Sequence, residues 1–219
     1  MPLNDIAKNA ALDGLDESIT AGVKFAGIFT AADPGTGATF SGTEATGGSP
    51  AYARLAATFS AAASGQKVNT STFTFDVPAG TYGFVGLFNT STGNVSGNYL
   101  GYAPINGTVK GFGEVDATGV TNDTITSSAH GLTTDDRVQV FNVFAESIPT
   151  GLTEGTLYFV LASGLTADVF KVALTSGGAA INITAQGELF FQKVIPEVFA
   201  SQGQITIAAG ALVLDATAF

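Results

Sequence analysis

His130 is the only histidine among 219 residues, so any serine–histidine–aspartate relay in this chain has to pass through it. It stands in Ala129-His130-Gly131-Leu132, a turn setting in which the ring more readily satisfies neighbouring backbone groups than shuttles protons. Asp135 and Asp136, with Asp123, could offer oxygen ligands to calcium. The twelve-residue loop with its Gly and terminal Glu is absent, which favours a solvated turn. Eighteen acidic residues could furnish the carboxylate pair of a glycosidase, yet none sits in a recognisable motif. The lack of Trp weakens a sugar cleft, although Tyr99 and Tyr102 could still stack on a ring. Gly35-Thr36-Gly37 follows a turn, lacks Lys and opens no helix, so it is no phosphate cradle. Six Asn-x-Ser/Thr sequons, at Asn69, Asn89, Asn94, Asn106, Asn122 and Asn182, read as a by-product of Asn- and Thr-rich turns. Arg54 is one of eight basic residues and is placed on a strand beside a long loop. Pairing with a neighbouring subunit's carboxylate and plain solvation both fit it. The expectation is a protein with no catalytic, cofactor-binding or metal residues, and no cofactor.

Composition points the same way. Hydrophobic residues make up 45% of the chain, enough for a packed core. Charged residues make up 12%, about half the usual share, and small neutral residues fill the surface instead. Such a surface suits life inside an assembly; a secreted β domain is the alternative. A net charge of −10 argues against nucleic acid and against an anionic membrane surface as partners. With no cysteine there are neither disulfides nor thiolate metal sites. Met1 to Ile6 lacks the basic start and apolar run of a signal peptide, and no run reaches membrane-spanning length. Synthesis in a cytoplasm is expected.

The elements that must position these residues are mostly strands. In Thr72–Phe88, Phe73, Phe75 and Val77 alternate with Thr72, Thr74 and Asp76, the pattern of a half-buried strand. Pro78-Ala79-Gly80 is turn chemistry, and Phe84–Phe88 is an apolar run suited to a strand covered on both faces. A central β-hairpin is predicted. Leu3, Ile6, Ala7, Ala10, Ala11 and Leu15 recur at helical spacing and predict one N-terminal helix. Strands are expected over 21–30, 52–60 and 99–105, with a long irregular segment over 31–50 that is either functional or an assembly contact. From about Gly119, short strands recur with turns every eight to twelve residues, at 137–143, 156–161, 169–174, 180–184 and 188–194. Gln204–Ile207 and Ala211–Leu214 then resume the earlier Ala- and Thr-rich style. The prediction is a mainly β protein. A β-sandwich (jelly-roll-like) host domain spans 1–118 and 195–219, interrupted by a small antiparallel β-barrel or sandwich module at 119–194.

Two stretches carry a resemblance. Phe29–Gly35, Gly42–Arg54 and Val85–Gly93 resemble a family of bacteriophage accessory virion proteins labelled tail-fibre, minor-tail or capsid-decoration. Ile125–Val138, Leu157–Val160 and Phe170–Val172 resemble a small β module common in phage structural proteins. Where that module carries Gly-Asp before its strand, this chain has Asp135-Asp136, so an Asp must supply any φ > 0 turn there.

The resemblance implies a non-enzymatic structural protein located in the virion. A capsid decoration (cement) protein is the first expectation, holding the shell through repeated subunit contacts. It would be a homo-oligomer, with a trimer favoured by analogy, and its partner would be the major capsid protein. The alternative is a tail-fibre or minor-tail protein, partnered by tail proteins, whose inserted module binds a host receptor.

Overall fold

A computed structural model describes residues 24–32, 34–35, 38–106, 110–143 and 147–215. The expected N-terminal helix, Leu3 to Leu15, lies outside the described residues. The strands in chain order begin with β1 (Phe25–Thr30), β2 (Leu55–Ala56), β3 (Gln66–Val68), β4 (Phe73–Val77), β5 (Gly80–Phe88) and β6 (Tyr99–Pro104). They continue with β7 (Lys110–Val115), β8 (Ile125–Thr126), β9 (Arg137–Asn142), β10 (Leu157–Val160), β11 (Val169–Phe170) and β12 (Val172–Ala173). The last are β13 (Gly187–Val194), β14 (Glu197–Phe199), β15 (Gly203–Ile207) and β16 (Val213–Asp215). One short helix, α1 (Ala117–Asn122), is present among the described residues. The fold is mainly β and sandwich-like, with every strand ladder antiparallel. Two compact units emerge: residues 1–105 with 196–219, and residues 106–195.

In the first unit, β5 is the central strand. It pairs with β1 on one side and with β6 and β14 on the other; β2 extends the sheet beyond β1. Tyr82 to Phe88 are all buried, as the apolar run requires of a strand covered on both faces. On one face Val85 and Leu87 join Phe73, Phe75, Val77, Ile205 and Ile207 in a single core. Each such side chain contributes about 2 kcal/mol by leaving water. The β4–β15 pair is thus the second layer of a sandwich. The predicted hairpin does not form: β4 pairs with β15, and β5 with β1, β6 and β14. Pro78-Ala79 carries the chain from one layer to the other, held by the Tyr82 hydroxyl donating to the Pro78 carbonyl at 3.1 Å. The sequence showed that both segments face one core. It did not show that they reach it from opposite sides.

In the second unit a seven-stranded sheet runs β11-β8-β7-β13-β9-β10-β12. Central β13 pairs with β7 and β9, placing Leu189 and Phe191 in a core with Val138, Val140, Tyr158 and Phe170. Strands β11 and β12 are separated by Lys171 alone and pair with opposite ends of the sheet, β8 and β10. The sheet therefore curls around its core without closing into a barrel. The segment 180–184, expected as a strand, forms none. It is an irregular connection that buries Ile183 and donates from the Ile181 amide to the Val172 carbonyl.

Candidate functional site

A dense polar cluster in the first unit joins Glu44, Tyr52 and Arg54. The Glu44 carboxylate accepts from Arg54 Nε at 2.8 Å and from Arg54 Nη2 at 2.7 Å, a two-point pair. It also accepts from the Tyr52 hydroxyl at 2.9 Å, while that hydroxyl accepts from the Ile28 amide at 2.8 Å. Arg54 Nη1 and Nη2 donate onward to the carbonyls of Thr90 and Gly93 at 3.1 and 2.8 Å. The guanidinium lies 3.5 Å above the centre of the Phe88 ring, a cation–π contact. Phe88 itself belongs to an aromatic cluster with Phe29, Phe40 and Tyr99, at centroid spacings of 5.0 to 6.0 Å. Backbone geometry makes room for this clamp at Gly27. A Cβ there would stand 2.7 Å from the Tyr52 hydroxyl oxygen and 2.9 Å from Glu44 Oε1.

Chemically the cluster is a lock. Burial first, and then the Glu44 charge, push the Tyr52 phenol above its ordinary range, so it stays a neutral donor. The carboxylate, phenol and guanidinium are engaged with one another and with backbone. Arg54 therefore pairs within its own chain; neither the neighbouring-subunit pairing nor plain solvation describes it. What the clamp does is tie the backbone around Glu44 and the turn after β5 to β1.

The residues singled out as possible chemistry have separate structural employments. His130 is buried, and its Nδ1 accepts from the Leu132 amide at 2.9 Å, as the turn setting predicts. Its ring meets Phe170 edge-on at 5.1 Å, and Nε2 has no hydrogen-bond partner. Asp123 sits in αL conformation at the end of α1 and accepts from the Ile183 amide. Asp135 does supply the φ > 0 turn, at φ 65°, and accepts from Ser176. Asp136 accepts from the Thr133 amide and pairs with Lys193 at 2.7 Å. No group of three metal-ligating side chains occurs among the described residues. Tyr99 is buried in the aromatic cluster, which removes it as a sugar platform. Asn69 turns out to be a buried staple: its amide donates to Ser71 and Ala208 and accepts from Leu212.

The family model described as podophage GP4 fiber I protein gp80 matches residues 4–135, well over half the chain. The chain belongs to that fibre family. It is accordingly a bacteriophage virion structural protein. No curated protein and no solved structure matches it. The family match takes in the whole Glu44–Tyr52–Arg54 clamp and the aromatic cluster beneath it, and ends at Asp135. Most of the second unit lies beyond the match. No described helix is long and apolar enough to cross a membrane.

Proposed function

We propose that this protein is a non-enzymatic fibre component of the phage tail, made in the bacterial cytoplasm and assembled into the particle as a homo-oligomer. The family match over residues 4–135 carries this reading. The first unit makes the particle contacts and the second contacts the host cell. Its mechanism is burial and mass action: repeated interfaces of roughly 800 Å² per partner hold each copy in place. The clamp supports this division of labour, because it stiffens a surface segment without leaving any acid, base or nucleophile free. Low surface charge also fits a capsid decoration protein bound to the major capsid protein, which is the second reading.

Imaging decides between them. A short tag inserted at the exposed turn Ser176–Gly178, where Gly177 has open space around it, is labelled with gold on intact particles. Label on tail fibres is the expected result. Label distributed over the shell would establish the decoration reading instead, and unlabelled particles would overturn both.

A further inference from the structure

The outer face of the seven-stranded sheet is not a plain solvated surface. Strand alternation turns Lys110, Phe112 and Glu114 of β7, and Glu188 and Phe190 of β13, away from the core that holds Val115, Leu189 and Phe191. Phe112, Phe190 and Phe141 stand directly opposite one another on three adjacent strands. Their rings meet at 5.7 Å edge-on and 6.3 Å tilted, and Phe112 remains 65% exposed. Beside this aromatic row, Glu114 directly faces Glu188 across the ladder. Neither has an ion-pair partner among the described residues. Like charges placed directly opposite destabilise a sheet. Phe112, both carboxylates and the hydroxyl residues Thr126, Ser127 and Ser128 line one groove of about 450 Å³, within the size range of small-ligand sites.

We infer that this groove binds a pyranose carrying a free amine, as found in a cell-surface polysaccharide rich in unacetylated amino sugar. The electron-rich ring of Phe112 receives the C–H face of the sugar and attracts its cationic end. Glu114 and Glu188 accept charge-assisted hydrogen bonds from the ammonium, and the ligand supplies the counter-charge that neither carboxylate finds among the described residues. The serine and threonine hydroxyls serve the sugar hydroxyls. The same two carboxylates repel uronates and phosphorylated sugars, so the site selects by charge. This inference rests on the reading of the chain as a fibre component that meets a cell surface.

The test titrates the full chain, by calorimetry and saturation-transfer NMR, with a glucosamine tetramer, its N-acetylated counterpart and an oligogalacturonate. The glucosamine tetramer binds, its affinity falls with added salt, the acetylated form binds at least about tenfold more weakly, and the uronate does not bind. Phe112→Ala and Glu188→Gln each weaken binding about tenfold. Glu188→Gln also raises the melting temperature, because it removes the facing charge, so its loss of binding is not a loss of fold. Equal binding of the acetylated tetramer, indifference to both substitutions, or equally tight binding of poly-lysine would overturn the inference. Absent binding with gold label on the fibres defeats this inference alone; intact binding with label on the shell defeats the fibre reading alone.

Discussion

Glu44 and Arg54 are ten residues apart in sequence and joined by two hydrogen bonds, with the Arg54 side chain only 2% exposed and seated over Phe88. A chain with few charges has thus buried this guanidinium against a half-buried carboxylate, and the loss of either partner has defined consequences. Arg54→Ala leaves the Glu44 carboxylate without its counter-charge and two carbonyls without donors. The expected loss is about 3 kcal/mol of stability in urea unfolding. Arg54→Lys keeps the charge but cannot span Glu44, Thr90 and Gly93, and loses about 1–3 kcal/mol. An Arg54→Ala protein as stable as the parent would show that the clamp is incidental.

Tyr52 makes the clamp sensitive to alkali. Its phenol is held above the ordinary value of 10.0 by burial and by Glu44, so the folded state keeps a proton that the unfolded state releases. Stability is therefore fully present below pH 10 and declines as pH rises beyond it. Tyr82 is shifted upward by burial in the same sense. Tyr52→Phe lowers stability near neutrality by about 1–3 kcal/mol, since the Ile28 amide loses its acceptor. It also flattens the alkaline decline without abolishing it. Equilibrium unfolding between pH 7 and 11 checks both, and an unchanged slope in the variant would refute the assignment.

Gly27→Ala tests the space reserved for the clamp. The added methyl would press on Tyr52 and Glu44 at distances that real Cβ atoms do not tolerate. Displacing either partner costs about 1–3 kcal/mol, measurable as a lowered melting temperature. The double substitution Gly27→Ala with Tyr52→Phe should cost less than the sum of the two alone, because both act on one hydroxyl. Strict additivity would mean that they do not.

His130 separates a structural role from a catalytic one. His130→Leu keeps an apolar contact with Phe170 but leaves the buried Leu132 amide without its acceptor, at about 1–3 kcal/mol. Particles carrying it should adsorb and infect as the parent does at permissive temperature, with a reduced thermal tolerance in the purified protein. Loss of infectivity from a protein of unchanged stability would reinstate chemistry at the imidazole.

Strand β7 shows where sequence reading stops. Its inward positions Gly111 and Gly113 carry no side chain, so no apolar alternation announces it. A Cβ at Gly113 would stand 2.6 Å from Ile125, and one at Gly111 would stand 2.8 Å from Phe191. The core is filled there by neighbours from β8 and β13. Without β7, the facing of Phe112 with Phe190 and of Glu114 with Glu188 is invisible, because their partners come from 78 and 74 positions away. Arg54 was legible as an unusual charge, and Glu44 and Tyr52 lay in the same resemblance-bearing stretch, but nothing in spacing joined them.

Local patterning determined what is local. Alternation in Phe73–Val77 and the unbroken apolar run of β5 determined strands and their burial, because side-chain direction in a strand is a property of the backbone. Composition determined how few residues could do chemistry, with one histidine, no cysteine and 12% charged residues. Only the tertiary structure decided that β4 and β5 part at Pro78 to enter different layers, that Arg54 finds Glu44 in its own chain, and that three phenylalanines and two glutamates share one open face. Those relations depend on which strands meet and how the segments between them fold back, and no local period along the sequence, even across the ten residues from Glu44 to Arg54, records them.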